Sequence, residues 1–451
     1  MNNRIRKIVV LSLFFVLLSG CGKKKGVEDD FNAIQDGQTT VTNTIDGGDA
    51  NAVENENNQT PEHVQYSIDL KGAGNKFNVD ADVISDYPNK VNVFNMQEIT
   101  IDKDYLLDLS KKIFDDGEYT VKKPVWLCSI SELNEEKEYL DQLNKEIRDK
   151  NGDVVCRDSM LYQNILVAIY ENASLNEEYN IDDVIFKTLV NGEPGETARI
   201  QGKINGEEYE LFYINTNYYK DLYLYKIGCT PEKIGYHLPE QAAVTDTFGE
   251  NVCNREQAEA LANDFILSGG FDDYQLVQTF LARGAKEMDD SPILDGYRFE
   301  YVPVIDGLEN AFTIYTRATT EYDPDCEMSE FAEQPVIQID VDSTGITAVR
   351  FGKLYEVGTT MSDETTLITF DAANESVKNA VENTLESYSE INRIKFEYIT
   401  VQYDKQYVNI PAWVYYVKTG TSETIAVIAC NALDGSIIYF EPTLDRYLWY
   451  F

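Results

Sequence analysis

Twice in the second half of this 451-residue chain, a capped helix is followed by a run of alternating strands. In "NREQAEALANDFILSGG", Asn254 is placed to cap and Gln257 to reach back, as in a capping box. Ala258, Leu261, Ala262, Phe265 and Ile266 make one apolar stripe, and Gly269-Gly270 ends the helix. The strand-like runs "YRFEYVPVIDG", "AFTIYTRA" and "VIQIDVDSTGITAVRF" follow. The order then recurs. "DAANESVKNAVENTLESY" sets Val377, Ala380, Val381 and Leu385 on one helical side, ahead of "IKFEYITVQY", "AWVYYVKTG" and "IAVIACNALDGSIIYF". The spacing predicts an internal duplication with a period of about 110 residues, longer than a solenoid repeat. The fold class is α+β: tandem units of a helix packed on an antiparallel sheet, at 241–360 and 361–451.

Residues 64–240 read as an N-terminal α+β domain. Leu106, Leu109 and Ile113 stand at helical spacing before Gly117. "SELNEEKEYLDQLNKEIRDKNG" predicts a helix capped by Ser131, with Leu140, Leu143 and Ile147 on one face and its end at Asn151-Gly152. In "ARIQGKINGEEYELFYIN", Asn205-Gly206 supplies the positive φ angles of a tight hairpin between two alternating runs. "DLYLYKIG" reads as a further strand.

The start of the chain has another character. Arg4, Arg6 and Lys7 precede an apolar run from Ile8 to Leu18, which is shorter than the ~20 residues a membrane helix needs. It has the length of a secretory signal, covering 1–20. Leu18-Ser19-Gly20-Cys21 resembles the lipobox of bacterial lipoproteins. That resemblance implies a diacylglycerol on the Cys21 thiol and a mature chain that begins there. Multiple acyl chains give stable anchoring, and Lys23, Lys24 and Lys25 would sit against anionic headgroups. Residues 21–63 are rich in Asn, Thr, Asp and Glu and poor in large apolar side chains, so they are expected to be a disordered tether. The expected location is the outer face of the cell membrane.

The net charge of −40 excludes nucleic acid as a partner, since phosphate contacts need Lys and Arg. Apart from Cys21 there are six cysteines: Cys128, Cys156, Cys229, Cys253, Cys326 and Cys430. The neighbouring pairs Cys128/Cys156 and Cys229/Cys253 allow disulfides, and buried thiols are an equal reading. None has the C-x-x-C spacing of a zinc ribbon or redox motif.

Asn431-Ala432-Leu433-Asp434-Gly435 resembles the turn of the last hairpin in PepSY-type domains, and Asp342-Ser343-Thr344-Gly345 resembles it more loosely. Together with the Glu256-Gln257-Ala258 helix opening and the phrases "YRFEYVPVIDG" and "NIPAWVYYV", the last 200 or so residues resemble an uncharacterised lipoprotein family of Gram-positive bacteria. The layout is also similar to accessory regulators that restrain a cell-wall sensor kinase. The resemblance implies a binding or regulatory role and brings no catalytic residue with it.

No chemistry-bearing motif appears. His63 lies at the end of the tether and His237 in a loop ahead of a proline. H-E-x-x-H, Walker A, G-x-G-x-x-G and G-x-S-x-G are all missing, so neither a cofactor nor a catalytic site is expected. Asp340-x-Asp342-x-Thr344-Gly345 imitates the first half of a calcium loop, but position 12 is Phe351 and the flanks are strands. A plain turn is expected there, and no metal. The tyrosines of "NTNYYKDLYLYK" and "PAWVYYV" are read as strand formers first and as a sugar or peptide surface second. The expected function is a membrane-anchored extracellular module that binds or regulates an envelope protein or peptide. The alternatives are a solute-binding lipoprotein for sugar or peptide uptake and a carboxylate-dependent hydrolase.

Overall fold

The computed structural model describes residues 60–70, 76–85, 90–123, 128–151, 165–166, 188–190, 193–215, 220–227, 234–236, 254–284, 295–310, 335–382, 390–403, 406–419 and 423–440, and among these residues nineteen strands and four α-helices have stated bounds. The chain opens with β1 (His63–Asp69), β2 (Lys76–Ile84) and β3 (Lys90–Glu98), then α1 (Lys103–Ile113), β4 (Tyr119–Lys122) and α2 (Ile130–Asn151). Next come β5 (Thr188–Val190), β6 (Glu193–Ile204), β7 (Glu207–Asn215), β8 (Lys220–Lys226) and β9 (Ile234–Tyr236). The first helix-and-meander unit holds α3 (Arg255–Gly269), β10 (Tyr274–Gly284), β11 (Asp295–Ile305), β12 (Leu308–Glu309), β13 (Ile337–Asp342) and β14 (Gly345–Phe351). After β15 (Tyr355–Thr366), the second unit holds α4 (Phe370–Glu382), β16 (Ile391–Tyr403), β17 (Gln406–Thr419), β18 (Glu423–Asn431) and β19 (Ile437–Phe440).

The local signals act as read. Asn254 Oδ1 accepts from the Gln257 amide at 3.2 Å, and Gly270 closes α3 in the left-handed region. The β6–β7 hairpin turns on Asn205 (φ 53°) and Gly206 (φ 81°). Helix α2 corrects one cap. Its N-terminus is held by Ser129, not Ser131. Ser129 Oγ accepts from the Glu132 amide (3.2 Å), and the Glu132 carboxylate accepts from the Ser129 amide (2.5 Å). Only Ser129 has a Glu three residues on that satisfies two orphan N–H groups reciprocally. Leu140 of α2 and Val377 and Val381 of α4 are buried as expected, and Ala380 is half-buried. The side chains of Leu143 and Ile147, together with Leu385 and the strand "AFTIYTRA", lie outside the described residues.

The strands form two sheets. Sheet I has eight strands, in the order β1-β2-β16-β17-β18-β19, with β3 on β17 and β15 on β3. Sheet II has eleven, in the order β4-β6-β7-β8-β14-β13-β11-β10-β9, with β5 on β6 and β12 on β11. The stretch 64–240 therefore feeds both sheets: β1–β3 enter sheet I and β4–β9 enter sheet II. β17 shows how sheet I accommodates this. One edge of it runs along β16, while the other pairs with β3 through Asn409 and with β18 from Ala412 on. Pro411, which has no N–H to give, sits at that changeover, and its carbonyl accepts from the Ala432 amide at 3.0 Å.

Alternation along β17 shows the layering. Trp413, Tyr415 and Val417 face α4 with Phe370, Ala373, Val377 and Val381. Ala412, Val414 and Tyr416 face the other way and meet Val302 of sheet II. On sheet II, α1 and α3 pack one face through Leu106, Leu109, Ile113, Ala258, Ala262, Phe265 and Ile266. The β11–β12 hairpin, turning on Asp306 and Gly307, carries Ile305 and Leu308 into the core of sheet I, where Asn310 makes a parallel bridge to Tyr398. The "VPVIDG" phrase thus fastens one sheet to the other.

Candidate functional site

Sheet II ends on β4, and the residues around that edge build a cleft. Helix α1 begins at Asp102, whose carboxylate accepts from the Tyr105 amide at 2.9 Å, and ends at extended Phe114. A 3₁₀ turn then passes through Asp116 (φ 54°) and Gly117 (φ 68°). Both Asp115 carboxylate oxygens accept from the β6–β7 hairpin, one from the Asn205 amide (3.0 Å) and one from the Gly206 amide (2.8 Å). Turn and hairpin brace each other, which fixes Asp116 and Glu118 at the lip. Along β4 the period of two sends Tyr119 and Val121 to the core under α1, and Thr120 and Lys122 to the opposite face.

Helix α2 covers that opposite face. A cleft of about 830 Å³ remains between it and the sheet, lined by Asp115–Thr120, Lys122, Tyr139, Gln201, Gly202, Lys203 and Glu208. This volume is in the range of small-ligand sites. The Lys203 ammonium lies 3.4 Å from Glu208 across the hairpin. Tyr139 is 45% exposed on the α2 wall. Among the described residues β4 pairs only with β6.

Behind the cleft is a buried charge cluster. Arg199, 1% exposed, gives Nε and Nη2 to Glu210 (3.1 and 3.0 Å), Nη2 to Glu136 of α2 (2.6 Å) and Nη1 to the Lys123 carbonyl (2.9 Å). Gln201 Nε2 and Tyr225 Oη also donate to Glu210, at 2.8 and 2.5 Å. Burial works against the Arg199 charge, but Glu210 and Glu136 outweigh it and hold its pKa above the ordinary value. Burial, reinforced by Glu210, keeps the Tyr225 proton on its oxygen. The cluster clamps α2 to the sheet and sets the back wall of the cleft.

A second buried cluster lies where the sheets meet. Tyr416 Oη donates to Glu397 at 2.6 Å, and Lys395 lies 3.0 Å from Glu397 and also bonds Glu309 of β12. The Arg393 guanidinium stacks 4.5 Å from the centre of the Tyr416 ring. In the same layer Arg298 makes a two-pronged bond to Asp340 (2.5 and 2.7 Å).

That bond commits Asp340 to Arg298. Asp342 Oδ1 accepts from both the amide (2.6 Å) and the hydroxyl (2.7 Å) of Thr344. With Gly345 at φ 107° these residues make the β13–β14 turn. In the β18–β19 turn, Asn431 Oδ1 accepts from the Leu433 amide (3.0 Å) and Asp434 from the Ser436 amide (2.7 Å), with Gly435 at φ 82°. A Cβ on Gly435 would meet Ser376 Oγ at 2.9 Å. Of the tyrosines in the two aromatic phrases, Tyr225, Tyr415 and Tyr416 are buried and Tyr223 is half-buried, while Tyr218 and Tyr219 lie outside the described residues. His63 sits on β1 between Asp80 (2.9 Å) and Asp82 (3.0 Å). Cys128 and Cys430 are buried, and burial pushes their thiols up to about 11 and about 12. Cys21, Cys156, Cys229, Cys253, Cys326 and His237 lie outside the described residues. Sequence reasoning marked the Gly117 and Asn205-Gly206 turns but did not assemble the cleft between them.

No family model matches the chain, and no curated protein does. Among solved structures, an uncharacterized protein from Eubacterium rectale ATCC 33656 is similar at a TM-score of 0.44 and 13% identity, over 84% of this chain and 94% of that one. The YpeB C-terminal domain of Bacillus megaterium is similar at 0.26 and 10%, over 57% of this chain and 87% of that one. At such scores neither likeness bears on function.

Proposed function

We propose that this protein is a binding or regulatory module of the outer cell surface, anchored by lipid on Cys21, that contacts an envelope protein or peptide through the cleft beside β4. The cleft carries this reading: a braced lip, an aromatic wall at Tyr139 and charged side chains of both signs at Glu118, Lys122, Lys203 and Glu208 lie together. Such a combination suits a peptide segment that places an aromatic or charged side chain in the cleft. Of the buried carboxylates among the described residues, Glu210, Glu397 and Asp340 are tied to a cation or a tyrosine hydroxyl, while Glu300 accepts from Gln338 and Asp342 from Thr344. The PepSY-like turns support the same reading by resemblance.

The test places a photoreactive phenylalanine analogue at position 139 of the full-length chain in its own cells. One discrete envelope adduct, lost when Glu118→Lys and Lys122→Glu are added together, is the expected result. Labelling spread over many proteins, or unchanged by those substitutions, overturns the assignment. The anchor has its own test: Cys21→Ser should abolish fatty-acid labelling and release the chain from the membrane fraction.

A further inference from the structure

The open edge of β4 has an unusual property: it is complementary to itself. Read as a strand, the segment is Glu118-Tyr119-Thr120-Val121-Lys122, and Glu118 continues the extended backbone at φ −87° and ψ 127°. Set antiparallel to an identical strand and centred on Thr120, it places each Glu118 opposite the other copy's Lys122 and each Tyr119 opposite the other copy's Val121. We infer that two copies of this chain pair through β4 in this register, joining sheet II of one to sheet II of the other across a two-fold axis at Thr120.

Four observations carry the inference. Among the described residues only β6 pairs with β4, and none of them takes its other row of backbone donors and acceptors. Thr120, which would lie on the axis, is exposed. The charges choose the register: a parallel pairing would set Glu118 on Glu118 and Lys122 on Lys122, and cross-strand like charges destabilise. The antiparallel pair gives two opposite-charge contacts and a closed, isologous interface rather than an open fibre. Finally, Thr120 and Lys122 line the cleft, so pairing brings the two clefts side by side and makes each copy part of the other's site.

The interface is small. A five-residue ribbon buries well under the ~1,200 Å² of a standard stable complex, and the net charge of −40 opposes association. Pairing is therefore expected on a crowded surface, where tethering raises the effective concentration. To that extent the inference rests on the anchored reading above.

Disulfide trapping reads the register directly. In this arrangement residue 120 faces its own counterpart at a Cα separation of about 4.5–5.5 Å, within disulfide reach. The full-length chain carrying Thr120→Cys, at the cell surface under mild oxidant, should form a covalent dimer that the wild-type chain does not form. Lys122→Cys alone should not, because its counterpart is about 13 Å away. Glu118→Cys and Lys122→Cys expressed together should cross-link. Adding Glu118→Lys to Thr120→Cys should lower the yield about tenfold, since two attractive pairs become repulsive. A second chain carrying Lys122→Glu with Thr120→Cys should restore it as a mixed dimer. No covalent dimer at position 120, equal trapping at 120 and 122, or indifference to the charge swap would each overturn the pairing. None of these outcomes touches the envelope adduct at position 139, which tests the binding reading separately.

Discussion

The two sheets each bury a glutamate under a tyrosine hydroxyl, and they neutralise it differently. In sheet II, Glu210 receives Tyr225, Gln201 and a two-pronged Arg199, all but Gln201 nearly sealed from water. In sheet I, Glu397 receives Tyr416 and shares the ammonium of Lys395 with Glu309, which is 29% exposed. Arginine's planar fork satisfies a whole carboxylate from one side, whereas lysine is a point charge that can be divided. The first cluster locks a helix onto its sheet through Glu136. The second joins strands of different sheets, because Glu309 belongs to β12 and Lys395 to β16. A sealed clamp holds the cleft wall, and a more exposed one sits at the seam between layers.

Removing the arginine is the strongest way to break this contrast. Arg199→Ala takes the cation from the buried Glu210 and from the half-buried Glu136 and should cost about 3–5 kcal/mol, measured by chemical denaturation. Arg199→Lys should recover only part of that, since one ammonium cannot reproduce the fork. Full recovery would mean the fork geometry is irrelevant.

Lys395→Met should cost less, about 1.5–3 kcal/mol, the range for a hydrogen bond to a charged group. Glu397 keeps Tyr416 and Glu309 can turn to water. If Lys395→Met proves as damaging as Arg199→Ala, the seam is as sealed as the clamp.

Tyr225→Phe and Tyr416→Phe should be alike, each losing one short bond to a buried carboxylate, at about 1.5–3 kcal/mol. Unequal losses would show that the cation, not the hydroxyl, dominates one cluster.

The smallest effect is in pH. Burial lowers the Lys395 pKa, but Glu397 and Glu309 more than offset it, so the folded value lies above 10.5. Its contribution is therefore complete below pH 10.5 and lost as pH rises through the folded value. Arg199 is held above its already higher ordinary value and should not titrate over the same span. As pH rises from 10.5 through the folded value, wild type should lose a little stability relative to Lys395→Met, because the variant lacks that titration. Parallel slopes for the two proteins would remove the assigned role of Lys395.

Short-range features of the fold could be read directly. The Asn254 cap, the Gly270 stop and the Asn205-Gly206 hairpin are satisfied by atoms a few residues apart, so the residue types announce them. The α2 cap was misplaced by two residues because Ser129 and Ser131 both stand ahead of an acidic run. Only the reciprocal bond to Glu132 separates them. Arg199 and Gln201 alternate with Ala198 and Ile200, a pattern that reads as a solvent face opposite a core face. The structure covers that face with α2, and the polar residues become a sealed cluster.

Residue types announce the local features of the chain: most helix starts and stops, and the places where hairpins turn. Tertiary structure alone decided that β1–β3 leave their neighbours to join strands some 300 residues away, that the β11–β12 hairpin enters the other sheet's core, and that residues from 115–122, 139 and 201–208 meet around one cleft. The physical reason is range. Caps and turns are closed by hydrogen bonds within a few residues, whereas the choice of strand partner depends on which apolar faces can be buried together once the whole chain has collapsed.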